Sequence, residues 1–226
     1  MRSRAIYKQF IKFKYESILE YNSFVERNIN DAVSDIEIQY EAFLKKNPMG
    51  IEKSKDEDYM DYFVTTLDEF AYENQKLSKD ILQYHRKSIL FHFYSLLEQE
   101  FYSASTIIGE NSIPSIKDST GNTIIKKFET YVNTKEPTLL VNIQDDLEYF
   151  NNIRLVRNII THNNSIITQT HIHYDTINDF SINRFNMHFL GTNDSGERVY
   201  QIQLDNQEFT KEMFNKFEFF TNKIYQ

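Results

Sequence analysis

Apolar residues recur at helical spacing from the start of the chain. Ile6, Phe10, Phe13, Tyr21 and Phe24, then Ala32, Ile36, Tyr40 and Phe43, fall at steps of three, four or eight, which predicts helix from Ala5 to Lys46. About 40 residues of unbroken helix would span roughly 60 Å, so the helix either breaks near Asn28-Ile29-Asn30 or projects as an arm. Lys12, Lys14, Glu16 and Glu20 read as its solvated face. Asn47-Pro48-Met49-Gly50 is a stop, and Ser54-x-x-Glu57 has capping-box spacing. The next helix carries Tyr59, Phe63, Leu67 and Phe70, with Asp56, Glu57, Asp58 and Asp61 at its start, where the helix dipole favours carboxylates. Ser78 or Asp80 opens a long helix through Ile89, Phe93, Leu96, Leu97 and Ala104 to about Ile108. Turn-forming residues at Gly109–Pro114 and Asp118–Asn122 precede a shorter helix of Ile124, Ile125, Phe128 and Val132. Glu136-Pro137 breaks that helix, and another runs from about Val141, through Ile143, Leu147 and Phe150, to the neighbourhood of His162.

Beyond Asn163-Asn164-Ser165 the period changes. Ile166 to Ile172 reads as extended, with His171 and His173 on one face of a strand. Phe185–Leu190 and Val199–Leu204 alternate, and the eight residues between them, Gly191–Arg198, are turn chemistry, so a β-hairpin is predicted at about 184–204. Asp205-x-x-Glu208 has capping-box spacing for a last helix of Phe209, Met213, Phe217, Phe220 and Ile224. The expected fold is mainly α: an antiparallel helical bundle over 78–226 with a small C-terminal β-hairpin, preceded by a long N-terminal helical extension over 1–77.

Composition supports this reading. The 226 residues include 19 Phe and 15 Tyr but only 5 Gly and 3 Pro, so backbone breakers are scarce and long helices are favoured. The formal net charge of −8 argues against indiscriminate adhesion to nucleic acid or an anionic membrane, so any RNA site must be a local basic focus. Cysteine is absent, which excludes disulfides, thiolate zinc sites and cysteine nucleophiles. No signal peptide or membrane-spanning run is visible, and a soluble, cytoplasmic protein is expected. The acidic cluster at Asp56–Asp61 lacks a histidine, and His171 with His173 lacks a third ligand, so no metal and no cofactor are expected.

Chemistry concentrates in one stretch, Asn151-Asn152-Ile153-Arg154-Leu155-Val156-Arg157-Asn158-Ile159-Ile160-Thr161-His162-Asn163-Asn164-Ser165. Ile153, Leu155, Val156, Ile159 and Ile160 suit burial. At about 100° per residue, Arg154, Asn158 and His162 share one face, with Arg157 and Thr161 beside them. Arginine offers a permanent cation with a planar fork that fits phosphate, and histidine can take and give a proton near neutrality. Asn158, one turn before His162, could fix the imidazole tautomer. Such groups can cleave a phosphodiester without metal. Against this, Arg157 could pair with Asp146 or Glu148 while His162 merely satisfies the helix end.

Arg157-Asn158-x-x-x-His162, with Ile153–Val156 before it and Asn163-Asn164 after it, resembles the signature of HEPN domains. The resemblance implies a metal-independent ribonuclease of the toxin or anti-phage type, acting as a homodimer, with Arg157, Asn158 and His162 as catalytic residues. It also implies that an earlier bundle helix faces the motif, so that Glu98 or Glu100 could salt-bridge Arg154 or Arg157; Lys126 and Lys127 could touch the RNA backbone. His85 and His92 read as surface or satisfied polar residues. Arg157 and His162 lie five apart, about 140° round an intact helix. A compact site therefore requires fraying at Thr161 or two motif helices packed across a two-fold axis. The alternative is a non-catalytic helical module that binds a partner protein, such as an antitoxin or defence complex, or a nucleotide.

Overall fold

A computed structural model describes residues 2–48, 57–109 and 115–226. Met49 and Gly50 of the expected stop, Ser54 and Asp56 at the expected second helix start, and loop residues 110–114 lie outside the described residues. The helices are α1 (Arg2–Lys46), α2 (Glu57–Gln75), α3 (Leu82–Ile108), α4 (Ile124–Lys135), α5 (Pro137–His162), α6 (Tyr174–Ser181) and α7 (Gln207–Ile224). Three strands, β1 (Ile166–Thr168), β2 (Asn186–Thr192) and β3 (Arg198–Gln203), form one antiparallel sheet in the order β1-β3-β2. The chain is thus mainly helical with a small sheet. The predicted hairpin is present as β2-β3, and β1 pairs on the other side of β3.

Contacts divide the chain into residues 1–19 with 86–226, and residues 20–85. This differs from the expected division at 77/78. The reason is that the first turns of α1 bury Ile11 and Tyr15 in the core of the larger unit, where the Tyr15 ring meets Phe217 edge-on at 6.0 Å.

In the larger unit, α3, α4, α5 and α7 contribute the core. Leu90, Phe93, Leu97 and Phe101 of α3 are sealed from solvent with Phe128 and Val132 of α4, Ile143, Phe150 and Val156 of α5, and Phe217 and Phe220 of α7. Their rings meet mostly edge to face: Phe93–Phe214 at 5.2 Å and Phe150–Phe220 at 5.3 Å, with Phe101–Phe128 tilted at 4.7 Å. Such pairs add about 0.5–1.5 kcal/mol each beyond the area they bury.

Two helix starts differ from expectation. Glu136-Pro137 does end α4, at Lys135, but α5 starts at Pro137 itself and not near Val141, since a proline in the first turn loses no helical hydrogen bond. The cap of α7 is Asn206, whose Oδ1 accepts from the Glu208 N–H at 2.9 Å, while Asp205 Oδ2 accepts from the Asn186 side chain. Asn206→Ala is expected to cost about 1 kcal/mol, seen as a thermal midpoint about 2–4 °C lower.

In the smaller unit, α1 runs on through Asn28-Ile29-Asn30 without a break, with Ile29 and Ile36 buried. Phe43 packs with Tyr62, Phe63 and Phe70 of α2, and His85 Nε2 lies 2.9 Å from Asn22 Oδ1. Neither Ser78 nor Asp80 opens a new helix. Residues Lys76–Ile81 form a wider π turn that carries α2 into α3, and the Ser78 hydroxyl donates back to the Asn74 carbonyl. Without glycine or proline there, nothing stops the helical path.

Candidate functional site

The polar stripe stands on α5 because the rest of that helix is consumed by the core. Ile153, Leu155, Val156, Ile159 and Ile160 are buried; Arg154, Arg157 and Asn158 are left half-buried, and Thr161 and His162 exposed. The helix stays regular to His162: the Thr161 hydroxyl donates to the Arg157 carbonyl, and the Asn163 N–H to Ile159. Asn164 and Ser165 then take left-handed backbone (φ 51° and 67°), and the Ser165 N–H also returns to the Ile159 carbonyl. The chain turns directly into β1, locked by the Ile202 N–H donating to the Ser165 carbonyl at 2.8 Å.

Arg157 lies against aromatic rings. Its guanidinium carbon is 5.5 Å from the Tyr94 ring centre and 6.0 Å from that of Phe91, both on α3. Nη1 donates to Asn158 Oδ1 at 3.1 Å, and the buried Nε has no hydrogen-bond partner among the described residues. Arg154 donates from Nε to Asn151 Oδ1 at 3.1 Å. Burial, and then the Glu98 charge, push the Tyr94 phenol up to about 12, against the opposing pull of Arg154 and Arg157. Tyr94 therefore stays protonated near neutrality, inside a neighbourhood shared by Glu98 and both guanidiniums.

Several expected pairings are not the ones found. Asn158 accepts from Arg157 and not from the His162 ring. Glu100 is sealed in the core, accepts from the Tyr225 hydroxyl, and makes no bridge to either arginine. Glu98 is half-buried, and among the described residues no ion pair joins it to Arg154 or Arg157. Asp146, 3 % exposed, pairs with Lys223 at 2.6 Å, so it is not the carboxylate partner of Arg157. Lys126 pairs with Glu129 on its own helix, and Lys127 Nζ donates to the Lys117 carbonyl. His92 is exposed and its Nδ1 lies 2.8 Å from the Ser88 carbonyl.

His171 and His173 do not share a strand. β1 ends at Thr168, and the two histidines sit in the turn before α6, with His173 at its N-cap. Residues 174–181 fold as α6, a helix the hydrophobic pattern did not reveal because it is only eight residues long. Among the described residues no group of three or more His, Cys, Asp or Glu is placed to hold a metal ion. No described helix is long and apolar enough to cross a membrane.

The rings over Arg157 are the functional neighbours that the sequence reading missed. Phe91-x-x-Tyr94 puts two aromatic side chains on one helix face, a signal visible in sequence, but nothing local says which cation they cover. Two surface cavities, about 560 Å³ between Ile36, Tyr40, Leu67 and Phe70 and about 360 Å³ beside Phe209 and Phe219, include no residue of the stripe. Half-buried and exposed groups strung along one helix face suit an extended anionic ligand laid along the surface. Compared with known proteins, the chain matches no protein-family model, no curated protein and no solved structure.

Proposed function

We propose that the chain is a metal-independent endoribonuclease of the HEPN type, a cytoplasmic toxin or anti-phage effector acting as a homodimer. In this reading α3, α4, α5 and α7 form the antiparallel HEPN-like bundle. The observation that carries it is the pairing, on one helix, of an arginine held against two rings with an exposed His162. A guanidinium with its position fixed in advance can stabilise charge that develops on a phosphoryl group. An exposed imidazole can move protons.

The ribose 2′-hydroxyl attacks the adjacent phosphorus while His162 of one protomer takes its proton. The new O2′–P bond forms, and Arg157, with Arg154 near it, offsets the added negative charge. The P–O5′ bond then breaks, and the partner copy's imidazole or a water gives O5′ its proton. The products are a 2′,3′-cyclic phosphate and a 5′-hydroxyl. A second copy is required because the intact helix holds Arg157 and His162 about 140° apart. Asn158 steadies the Arg157 fork, to which it is hydrogen-bonded, in place of the imidazole.

The test is incubation of the purified protein with total RNA in EDTA. Cleavage with cyclic-phosphate ends is expected, falling about 10²–10⁴-fold in His162→Ala. Cleavage that EDTA abolishes but His162→Ala leaves intact would sink the reading. The same helix-face separation favours a second reading, a non-catalytic module whose stripe docks a partner or a nucleotide. That reading gains if wild type and His162→Ala leave RNA equally whole.

A further inference from the structure

Immediately after β1, the segment from Gln169 to Tyr174 is tied to the end of β3 at several points. The Gln169 N–H donates to the Arg198 carbonyl at 2.9 Å, Thr170 Oγ1 donates to Glu197 at 2.6 Å, and the Tyr174 ring sits 5.4 Å from that of Tyr200. This frame holds two histidines side by side. Their ring centres are 5.7 Å apart, and the His173 N–H donates to His171 Nδ1 at 3.1 Å. With Nδ1 accepting, the neutral His171 ring carries its proton on Nε2, a donor free for a ligand.

α5, which carries Arg154, packs against both β1 and α6, the elements on either side of this turn, and the Arg154 charge reaches His173. His173 is held below its usual value by burial first, then by His171 and by Arg154. Only the Nε of Arg154 is engaged, with Asn151, so the paired Nη groups of its fork have no hydrogen bond or ion pair among the described residues. A guanidinium next to two imidazoles repels a divalent cation and attracts an anion. Of the carboxylates around this turn, Glu197 is already occupied by Thr170 and Asn193, and Asp175 lies in the first turn of α6, where it acts on Tyr174.

An aromatic ladder continues from this cluster across the sheet. Phe189 of β2 is paired directly opposite Tyr200 of β3, with ring centres 5.6 Å apart, and Tyr200 in turn meets Tyr174. Phe189 is 51 % exposed, although Met187 and Ile202 on the same face turn into the core. Leu190 bulges out between Phe189 and Gly191, where the register shifts. Arg198 stands at the near end of β3 and acts on the Tyr200 phenol. Half-open rings near a guanidinium whose Nη groups are unengaged among the described residues supply the two parts of a single-strand nucleic-acid surface, one for bases and one for phosphates.

We infer that Arg154, His171 and His173 bind a backbone phosphate of single-stranded RNA, and that Phe189, with Tyr200 behind it, stacks the neighbouring base. The inference rests on the RNA-cleaving reading for the identity of the strand. It adds to that reading a subsite within one chain, fed by the same helix, because Arg154 lies one turn before Arg157 and Asn158 on α5. It also makes an unpaired RNA tract, and not a nucleotide or a duplex, the ligand: a stacked base must be free of its partner strand.

The experiment measures binding apart from cleavage. A fluorescein-labelled 2′-O-methyl oligouridine of about ten nucleotides has no free 2′-hydroxyl and cannot be cut by internal attack. Its anisotropy is followed with the full-length protein at several salt concentrations. Phe189→Ala and Phe189→Leu should each weaken binding about ten-fold, since leucine keeps the apolar bulk but not the stacking face. Arg154→Gln should weaken it and flatten the slope of log K against log salt by about 0.7. Phe219→Ala, which removes a still more exposed ring on α7, should bind as wild type does. The subsite is overturned if wild type fails to bind, or if the Phe189 and Arg154 variants, with unchanged circular dichroism, bind like wild type. Cleavage of total RNA with no role for these residues in binding would end the subsite alone; binding that depends on them without any cleavage would end the nuclease reading alone.

Discussion

Mixing inactive Arg157→Ala with inactive His162→Ala should restore RNA cleavage that neither variant shows alone. The expectation follows from helix geometry. α5 remains regular from Pro137 to His162, so the guanidinium and imidazole of one copy point about 140° apart and cannot close on one phosphate. If the working pair is Arg157 of one copy with His162 of the next, and a water gives O5′ its proton, a mixed dimer retains one intact pair. Half of randomly assorted dimers are mixed, and each mixed dimer has one of two centres, so about a quarter of wild-type activity should return. The two variants are purified separately, exchanged at a concentration where dimers re-equilibrate, and assayed on RNA in EDTA. Recovery should rise with the share of the second variant, peak at equal amounts and fall beyond it. A mixture as silent as its components means that the two residues do not act across an interface, and the trans arrangement of the proposed mechanism fails.

The stability of the fold should fall between pH 4.5 and about 7, and Glu100→Gln should remove that part of the slope. Glu100 is sealed in the core of the larger unit, with one carboxylate oxygen accepting from the Tyr225 hydroxyl and the other without a partner among the described residues. Burial raises its pKa from 4.5 to about 7, against the smaller opposing pulls of Tyr225 and Lys14. Across that window the folded chain keeps a proton that the unfolded chain has released. Unfolding is therefore favoured as pH rises, by about 3 kcal/mol in all, with no further change from this group above the upper limit. Glutamine stays neutral throughout. It places an amide donor where no acceptor stands, costing about 1–3 kcal/mol at every pH. Chemical unfolding of both proteins from pH 4.5 to 8 separates the two effects. The difference should begin with the variant less stable and move in its favour as pH rises. A difference independent of pH would mean that Glu100 does not change its charge in the folded chain near neutrality.

The sequence by itself determined what depends on neighbours along the chain. Spacings of three and four residues located α1, α2, α3, α4, α5 and α7, because a helix buries one stripe and its period is written locally. Alternation on either side of Gly191–Arg198 located β2 and β3 for the same reason. The stripe of Arg154, Arg157, Asn158 and His162 was also legible, since the apolar residues between them must face inward. Only the tertiary structure decided what these groups meet. The rings of Phe91 and Tyr94, some sixty residues earlier, cover Arg157; Tyr225, not an arginine, holds Glu100; and Lys223 takes the Asp146 carboxylate that could have claimed Arg157. Ile166 onward read as extended, but pairing with β3 confines β1 to three residues, and the His171–His173 turn that follows lies within reach of the Arg154 charge. The physical reason is range: backbone preference and amphipathic period act over a few residues, whereas partners for charge and hydrogen bonds are chosen by packing among elements distant in the chain.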